Sequence, residues 1–488
     1  MLAPYSGRPA WLATIRAALV AAMILAVASA CDDDNTTGPG GAVQVSDLQL
    51  RPGTEAGPLT VATFTATDAD SARAWYSAAG GAPRATPFVP VSNGNGRVLV
   101  AGLAPSTDYQ VYIDARAGAD SGVSQSQSFT TQELPDALKN ISFDMATGTF
   151  SSGYILTEVA GSDSTLYAVA FDSAGTLVWY RHFADYALIG DLQRQPNGHF
   201  TIYLGNSTGW QPVPGEYDEF TAAGDITHTW VLPSPTYTDN HEIRFVMQDT
   251  TVTAAYLFGY VQHPFDMTAH GGGANDQVAV HQIYRLSPGG DAEMLFDAFD
   301  RWTPDDWVSP PLADAGDMDH PNSLDIDADG NLIVSWRSLG AITKHDGTTG
   351  ELIWQLGGTK SDITLENDPL NGFGGQHFAR ALPDGHILLY DNGTSHAPGE
   401  SRPVEYAIDA TSKKATFVWD FEHPTTIFTT FMGSAQRLPN GNTLVGYSTS
   451  AVLTEVDPDG NVVAEGTKMD GGTPSIFYRA LWIPTLGQ

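Results

Sequence analysis

Two short segments place histidines and other polar side chains at the ends of apolar, strand-like runs. In the first segment His320-Pro321-Asn322 leads into Ser335-Trp336-Arg337, and in the second Gln376-His377 leads into Asp391-Asn392-Gly393. Strands favour alternating apolar residues, so a histidine at the same place in successive units calls for a chemical explanation. The arrangement predicts that several imidazoles and one guanidinium meet at a common point.

The chain from about residue 140 onward repeats a pattern of apolar runs joined by tight turns. The turn glycines Gly330, Gly385 and Gly441 lie 55 and 56 residues apart, and each joins two apolar runs, as in a β-hairpin. Helical periodicity is nearly absent. Four-stranded units of about 55 to 60 residues predict a six-bladed β-propeller over residues 140–488. An open β-solenoid would have much shorter repeats.

Propeller geometry gives a reason for the histidines to meet. The innermost strand of each blade lines the central channel, so its first residue lies at the channel mouth. His320 and His377 precede their turn glycines by ten and eight residues, and Arg337 follows Gly330 by seven. His241 begins a strand in the blade before. Ser434 and Asp191 take the corresponding place in two other units. We therefore expect these side chains to share one axis.

Residues 42–134 carry a different pattern, with short alternating strands predicted at 59–67, 73–77, 97–101 and 110–115. The run from Leu103 to Val111, with Tyr109 inside it and Phe129-Thr130-Thr131 after it, resembles the fibronectin type III signature. That resemblance implies a small β-sandwich, in which the tyrosine forms the corner hydrogen bond of such domains. We interpret this module as a spacer or docking domain, so the predicted fold is all-β throughout.

Five motifs follow one another between residues 320 and 393. They are His320-x-Asn322-Ser323, Ser335-x-Arg337, the run Gly350-Glu351-Leu352-Ile353-Trp354-Gln355-Leu356-Gly357-Gly358, Gln376-His377, and Leu389-x-Asp391-Asn392-Gly393. This series resembles the bacterial arylsulfotransferase family, over most of residues 140–485. Family members move a sulfuryl group from an aryl sulfate ester to a phenol on a six-bladed propeller, through a sulfohistidine and without an adenosine phosphosulfate cofactor.

The resemblance assigns roles to individual residues. His377 is similar to the nucleophile of the family, while His320, Asn322 and Arg337 correspond to residues that bind the sulfuryl oxygens. His241 corresponds to a further site histidine. The resemblance implies no cofactor and no metal, and it implies an aryl sulfate donor and a phenol acceptor as small-molecule partners. Some family members have a structural disulfide, which this chain cannot form because Cys31 is its single cysteine.

Physical chemistry supports these roles independently. A sulfate ester carries its charge on oxygens that suit the fixed N–H fork of Arg337, and a loose transition state, as in phosphoryl transfer, needs donors and positioning. A neutral His377 can attack sulfur with one ring nitrogen while its other N–H is held. The acceptor phenol, with a pKa of about 10, needs a base as it ionises. Either His320 or His241 can serve.

Two other functions remain open at this point. One is a metal-dependent hydrolase in which His241, His320 and His377 bind a divalent cation, although an arginine aimed at the same point disfavours a cation. The other is a non-catalytic propeller that binds a ligand at the channel mouth. Asp325-x-Asp327-x-Asp329 also imitates a calcium loop, but its twelfth position is Trp336 instead of glutamate, so we interpret it as a turn. Aromatic candidates for the pocket wall are Trp302, Trp307, Phe428 and Phe431.

The N-terminus predicts export and a lipid anchor. Basic residues precede an apolar run at 17–27, which is short for a transmembrane helix and typical of a signal peptide over residues 1–30. Ala28-Ser29-Ala30-Cys31 resembles a bacterial lipobox with Cys31 as the lipidated residue, and residues 31–41 form a polar, flexible tether. The predicted location is a bacterial membrane, with the protein facing the periplasm or the exterior.

The net charge of −33 limits the possible partners. Nucleic acids and acidic membrane surfaces require basic footprints, so both are excluded as binding partners. An anionic substrate must likewise be held by a local cluster of donors, because the rest of the surface repels it.

Overall fold

The computed structural model describes residues 43–207, 214–308 and 316–487. The predicted signal peptide, Cys31 and the tether lie outside these residues. Within them no α-helix is found, and no helix has the length and apolar character needed to cross a bilayer. Short 3-10 helices occur at Asp136–Leu138, Thr268–His270, Ala298–Asp300, Pro304–Asp306 and Ser448–Ser450.

The N-terminal module is a sandwich of two antiparallel sheets. Its strands are β1 (Gln44–Pro52), β2 (Ala56–Gly57), β3 (Leu59–Thr67), β4 (Ser71–Ala78), β5 (Arg84–Ala85), β6 (Val89–Pro90), β7 (Asn95–Ala101), β8 (Asp108–Ala117), β9 (Asp120–Val123) and β10 (Gln127–Thr130). One sheet has the order β1-β3-β7, and the other has the order β10-β8-β4-β5 with β6 and β9 at its edges. The alternating apolar residues of both sheets face one shared core.

The four strands predicted for this module are present as β3, β4, β7 and β8, with each predicted range inside the observed one. Tyr109 lies in β8 and its hydroxyl accepts a hydrogen bond from the Ala104 N–H at 3.0 Å. This is a bond to backbone just upstream, of the kind that the predicted tyrosine corner requires. The assignment to the fibronectin type III type stays a prediction.

The remaining strands form six sheets, which are antiparallel except where β27 pairs with β31 in parallel. They are β11 (Ile141–Thr147), β12 (Tyr154–Ala160), β13 (Leu166–Asp172), β14 (Leu177–Phe183), β15 (Leu188–Arg194), β16 (Phe200–Gly205), β17 (Gly215–Phe220), β18 (Ile226–Trp230), β19 (Tyr237–Gln248), β20 (Thr251–Phe265), β21 (Asp276–Leu286), β22 (Ala292–Asp297), β23 (Pro321–Ile326), β24 (Leu332–Trp336), β25 (Ala341–His345), β26 (Leu352–Gly357), β27 (Thr364–Glu366), β28 (His377–Ala381), β29 (Ile387–Asp391), β30 (Arg402–Asp409), β31 (Lys414–Asp420), β32 (Ser434–Arg437), β33 (Thr443–Tyr447), β34 (Val452–Val456), β35 (Val462–Asp470), β36 (Thr473–Pro474) and β37 (Leu481–Ile483).

The six sheets close into a ring, which confirms the predicted six-bladed propeller. Blades 2 to 5 are β15–β18, β19–β22, β23–β26 and β28–β31, while blade 1 has the order β37-β12-β13-β14 and blade 6 the order β32-β33-β34-β35. Neighbouring blades contact one another around the circle, through β12 and β15, then β19, β23, β28 and β32, and finally β37. Two strands close the ring. Strand β37 supplies the inner strand of blade 1, and β11 adds an outer strand to blade 6.

The turns between strands follow from their sequence. Asp327 accepts hydrogen bonds through its Oδ1 from the N–H groups of Asp329 and Asn331, and the Gly330 N–H closes the turn on the Asp327 carbonyl. The other carboxylate oxygen of Asp327 lies 2.6 Å from Lys344 Nζ, an ammonium that takes the place a cation would need. This supports reading the Asp-rich segment as a turn.

The sandwich and the propeller share main-chain hydrogen bonds. Strand β2 pairs with β14 at the outer edge of blade 1, and Leu59 and Ala56 join the apolar core between blades 1 and 2. That core contains Trp179, which is fully buried and stacks on Phe200 at 5.4 Å. The N-terminal module is therefore built into the edge of the propeller.

Candidate functional site

A pocket of about 530 Å³ opens at one end of the central channel. Four histidines line it, and they come from three different blades or from the segments that lead into them. They are His241, His281, His320 and His377. A larger cleft of about 760 Å³ lies between the sandwich and blade 1, but none of these histidines lines it. We therefore place the candidate site in the channel-mouth pocket, where the predicted histidines meet.

Irregular backbone aims the side chains at this mouth. The inner strands of blades 2 to 5 all shift register where they reach the mouth, between Gly190 and Gln193, Thr238 and Ile243, Pro321 and Ser323, and His377 and Arg380. Positive φ angles accompany three of these bulges, at Asp191 (53°), His320 (47°) and Phe378 (53°). Such bulges re-aim side chains and are common beside active sites. His241 lies within β19 and not at its start, and its bulge turns it inward.

Hydrogen bonds fix the tautomer of His377. Its Nδ1 lies 2.7 Å from Asn392 Oδ1 and 2.9 Å from the Gly375 carbonyl oxygen, and both of these atoms are acceptors. The Asn392 amide nitrogen donates to the carbonyls of Thr429 and Met432, which keeps its oxygen turned toward His377. The proton of His377 is therefore on Nδ1, and the lone pair is on Nε2, where the Met432 N–H donates at 3.1 Å.

The surroundings of His377 keep its ring neutral. Burial lowers the pKa of His377 well below the ordinary value of histidine, and the nearby charges of Arg337 and His320 lower it further. Only the neutral imidazole has a lone pair to offer, so this environment favours a nucleophile.

The Asp391-Asn392-Gly393 motif supports His377 from behind. Asp391 Oδ1 accepts hydrogen bonds from the N–H groups of Gly374 and Gly393, which holds the loops on either side of the histidine. Gly393 has a φ of 73°, and a Cβ there would collide with the Glu400 carbonyl, so glycine is required. Arg402 is fully buried and pairs with Asp391 at 3.4 Å and with Asp368 at 2.9 Å.

Replacing Arg402 with methionine is expected to lower the free energy of unfolding by about 3 to 5 kcal/mol, because it leaves buried carboxylates without their cation. Asp368 and Asp391 are both fully buried on their side chains. Urea unfolding of the variant measures the loss. Arg285→Met, which removes a half-exposed arginine 3.9 Å from Glu293, is the control and should change stability little. An equal effect in both variants would contradict this role.

The polar residues of the His320-x-Asn322-Ser323 motif join blade 4 to blade 5. Asn322 Nδ2 donates to the Gln376 carbonyl at 2.7 Å, and Gln376 Nε2 donates to the Trp336 carbonyl at 3.1 Å. Ser323 and Asp325 likewise accept from main-chain N–H groups of β28. Asn322 is fully buried and does not line the pocket, so its contact in this structure is with the segment that carries His377.

Two histidine–carboxylate pairs face His377 across the pocket. His320 Nδ1 lies 2.5 Å from Asp317 Oδ2, and His241 Nδ1 lies 2.8 Å from Asp239 Oδ1. The two imidazole rings are in edge contact, with centroids 4.8 Å apart. Burial lowers the pKa of His320, against the opposing effect of Asp317. Each carboxylate holds an Nδ1–H, so Nε2 carries the lone pair in the neutral ring.

A third histidine, His281, was not selected from the sequence. Its Nδ1 lies 2.5 Å from Asp319 Oδ1, and its Nε2 lies 3.4 Å from Asp239 Oδ2. Burial alone would lower the pKa of His281, but Asp319 and Asp239 outweigh it and raise this pKa well above the ordinary value. This shift favours the imidazolium form of His281. The sequence signal was a histidine inside an apolar strand, Val280-His281, without a motif around it.

Arg337 is buried and does not itself line the pocket, but its charge, in addition to their burial, lowers the pKa values of both His320 and His377. Its Nη2 lies 3.4 Å from the Thr430 carbonyl oxygen, while Nε and Nη1 have no hydrogen-bond partner. Buried guanidinium donors without partners are costly unless a ligand takes them. An oxyanion is the ligand that this fork of N–H groups suits.

Much of the pocket wall is apolar and aromatic. Of the four aromatic candidates from the sequence, Phe431 lines the pocket, Trp302 is buried in the core beside Trp336, and Trp307 and Phe428 lie elsewhere. Further apolar walls come from segments that carried no motif; these residues are Val159, Leu166, Leu188, Ile189, Ile476, Phe477 and Tyr478. Such a wall suits an aryl ring.

Two groups of acidic and histidine side chains, among the residues described, bring ligand atoms within 4.8 Å of one another. They are His281 with Asp317 and Asp319, and Asp384 with His386 and Glu405. Neither group contains His241, His320 or His377, the trio of the metal-hydrolase hypothesis. In the first group His281 Nδ1 lies 2.5 Å from Asp319 Oδ1, a distance at which the two atoms share a proton. In the second group Arg437 donates a hydrogen bond to Glu405.

Comparisons with solved structures return distant similarities. A protein of unknown function from Bacteroides caccae is 12% identical, covering 68% of this chain and 98% of its own, with a TM-score of 0.42. An inactive H270A virginiamycin B lyase from Staphylococcus aureus is 10% identical, covering 67% and 88%, with a TM-score of 0.36. Regucalcin, a calcium-binding protein from Agrobacterium tumefaciens, is 14% identical, covering 68% and 95%, with a TM-score of 0.33. TM-scores this low support no functional conclusion.

No protein with a curated description matches the sequence. The model of the arylsulfotransferase (ASST) family, however, matches residues 220–469, just over half of the 488 residues. The matched region contains blades 3 to 5 and most of blade 6, and it includes all four pocket histidines. The chain belongs to the arylsulfotransferase family.

Proposed function

We propose that this protein transfers a sulfuryl group from an aryl sulfate ester to a phenolic acceptor, through a sulfohistidine at His377 and without an adenosine phosphosulfate cofactor. The single observation that supports this best is the state of His377, a neutral ring with its lone pair on Nε2 at the pocket. Arg337, whose Nε and Nη1 have no hydrogen-bond partner, acts on His377 through its charge.

In the first half-reaction the Nε2 lone pair of His377 attacks sulfur, an N–S bond forms, and the S–O bond to the aryl group breaks. The phenolate leaves with the electron pair as the anion and takes its proton from water. Positive charge develops on the imidazole as the N–S bond forms. Asn392 and Gly375 accept the Nδ1–H and stabilise that charge.

The sulfuryl oxygens need donors at the same moment. Arg337 supplies Nε and Nη1. The Met432 N–H lies 3.1 Å from Nε2 in the resting enzyme, so it must yield to the incoming sulfur and is then next to the sulfuryl oxygens. We assign these two groups to the stabilisation of the transferred group, which needs fixed donors more than acid strength.

In the second half-reaction the acceptor oxygen attacks sulfur, the N–S bond breaks, and the phenolic proton passes to a base. The two histidine–carboxylate pairs are both suited to this step. Their Nε2 lone pairs are fixed by Asp317 and Asp239, and the rings are in contact. We assign the proton to this pair of histidines jointly.

The test of the function is incubation with 4-nitrophenyl sulfate, with and without added phenol. Release of 4-nitrophenol that rises with phenol concentration, together with formation of phenyl sulfate, is the expected result. Release at the same rate in water alone would identify a sulfatase and contradict the proposal. Binding of the ester without any turnover would favour a non-catalytic module.

The pH dependence of the first half-reaction provides a separate prediction. Because burial and Arg337 lower the pKa of His377, its ring stays neutral until the pH falls below the ordinary histidine value of about 6.5. The burst of 4-nitrophenol without acceptor should therefore keep its rate as the pH falls from 8 through about 6.5, and decline only below that value. Stopped-flow measurement of the burst checks this. A half-maximal rate at or above the ordinary pKa would contradict it.

A further inference from the structure

The pocket contains one titratable group that the proposed mechanism does not use. His281 lies on β21, the third strand of blade 3, away from the inner strands that carry the other histidines. The segment that leads to His320 runs beside this strand. Ala279 N–H donates to the Gly316 carbonyl at 2.6 Å, and Met318 N–H donates to the Ala279 carbonyl at 3.0 Å. This pairing brings Asp317 and Asp319 to His281.

His281 contacts the carboxylates with both ring nitrogens and with its main chain. Nδ1 lies 2.5 Å from Asp319 Oδ1 and 3.8 Å from Asp317 Oδ1, and Nε2 lies 3.4 Å from Asp239 Oδ2. The His281 N–H also donates to Asp319 Oδ2 at 3.0 Å. Its ring is 5% exposed, and Tyr260 packs against it at 5.4 Å. A buried cation is thus held among three carboxylates.

The same carboxylates hold the two bases of the pocket. Asp239 places one oxygen toward His281 and the other toward His241. Asp317 bonds His320 through Oδ2, while its Oδ1 lies 3.8 Å from His281 Nδ1, beyond hydrogen-bond distance but close enough for the charges to interact. The contacts form one continuous path from His241 to His320 through the central imidazolium. A residue that fixes Asp239 and Asp317 therefore also fixes which ring nitrogen of His241 and of His320 carries the proton.

We propose that His281 is a positioning residue of the transfer reaction: by its contact with Asp239 and by its charge beside Asp317, it fixes the two carboxylates that set the tautomers of the neighbouring pocket histidines. This inference rests on the proposed function. The positive charge of His281 also offsets the negative charge of the carboxylates. Without it, Asp317 would act on His320 at full strength and favour its protonated form, which cannot serve as a base.

The effect on pH dependence follows from the groups that face His320. These groups are Asp317, His241 and Arg337, and burial lowers the pKa of His320 in their presence. His281 and His320 together lower the pKa of Asp317 to about 2, although burial would raise it. Removing His281 leaves the anion of Asp317 beside His320 without the positive charge that offsets it. The pKa of His320 should therefore rise.

The test compares His281→Gln with the wild-type protein in the phenol-dependent second half-reaction. His281→Gln should lower kcat by about 10 to 100-fold with KM for phenol little changed, because the bases lose their alignment. The acid limb of its pH profile should move up by about one pH unit. His281→Lys, which keeps a cation, should return the acid limb toward its wild-type position. A stable His281→Gln variant with an unchanged rate and an unchanged acid limb would overturn the inference.

Two further measurements keep the inference separate from the proposed function and from folding. Wild-type protein labelled with 15N should show a doubly protonated His281 ring at pH 7.5, and a neutral ring would overturn the inference even if the variants do not fold. His281→Gln should still form the sulfuryl adduct on His377, only with slower transfer to phenol. If wild-type protein forms no adduct, the proposed function fails instead. Wild-type turnover that EDTA abolishes and Zn²⁺ restores would identify a metal site at His281 and overturn its role as an imidazolium.

Discussion

Replacing His377 with alanine is expected to abolish transfer, lowering kcat/KM for 4-nitrophenyl sulfate by at least about 10³-fold, as the loss of a nucleophile does in other enzymes. The reason is that Nε2 of His377 is the atom that bonds to sulfur, and no other ring nitrogen is held by Asn392 and Gly375 in the same way. Steady-state kinetics with phenol as acceptor measures the loss. The adduct should be absent as well.

The controls for this variant separate chemistry from folding. His377→Gln keeps an amide that can bond to neighbouring groups, and it should be as inactive as the alanine variant while it melts close to the wild-type temperature. His182→Ala removes an exposed histidine on β14 and should retain full activity. Turnover by His377→Ala within a few-fold of wild type would show that another residue accepts the sulfuryl group.

Replacing Arg337 with methionine is expected to lower kcat/KM by about 10² to 10³-fold, the usual cost of losing a preorganised donor to a developing anion. The two unpartnered N–H groups of Arg337 are the basis for this estimate. Arg337→Lys should recover little, because an ammonium cannot reproduce the fixed fork of the guanidinium. The same assay with 4-nitrophenyl sulfate and phenol measures both variants.

Replacing Arg337 should affect the formation of the sulfuryl adduct differently from replacing His377. Adduct formation should be slowed in Arg337→Met but still detectable, since the nucleophile remains. Removal of this cation should also raise the pKa of His377, because Arg337 is one of the charges that lower it. An Arg337→Met variant with wild-type kcat/KM would show that the guanidinium has a structural role only.

The repeating turns and strand lengths predicted the propeller correctly, because hairpin turns and apolar alternation are local properties of the chain. Gly330, Gly385 and Gly441 all lie in such turns and have φ angles of 81°, 86° and 91°. The two strand pairs that close the ring were not predicted. Strand β37 has only three residues, and the partners of β11 and β37, which are β35 and β12, lie more than 300 residues away in sequence. Nothing local in either strand shows where it pairs.

Only part of the site was predicted, because the rest depends on contacts between segments that are distant in sequence. The sequence brought His320, His377 and His241 together, but it did not show the bulges that aim them or the carboxylates that hold their protons. Asp317 and Asp239 stand three and two residues before their histidines, a spacing that would have been readable as a pairing. His281 was missed because its partners come from another strand of its own blade and from the segment that leads into the next blade, which only the folded chain brings together.

The most direct test of this account is mass spectrometry of the protein after brief exposure to 4-nitrophenyl sulfate in the absence of phenol. The account predicts one sulfuryl group per chain, located on His377 in the proteolytic peptides and lost when phenol is added. A sulfuryl group on His241, His281 or His320, or acceptor-dependent turnover without any covalent adduct, would contradict it.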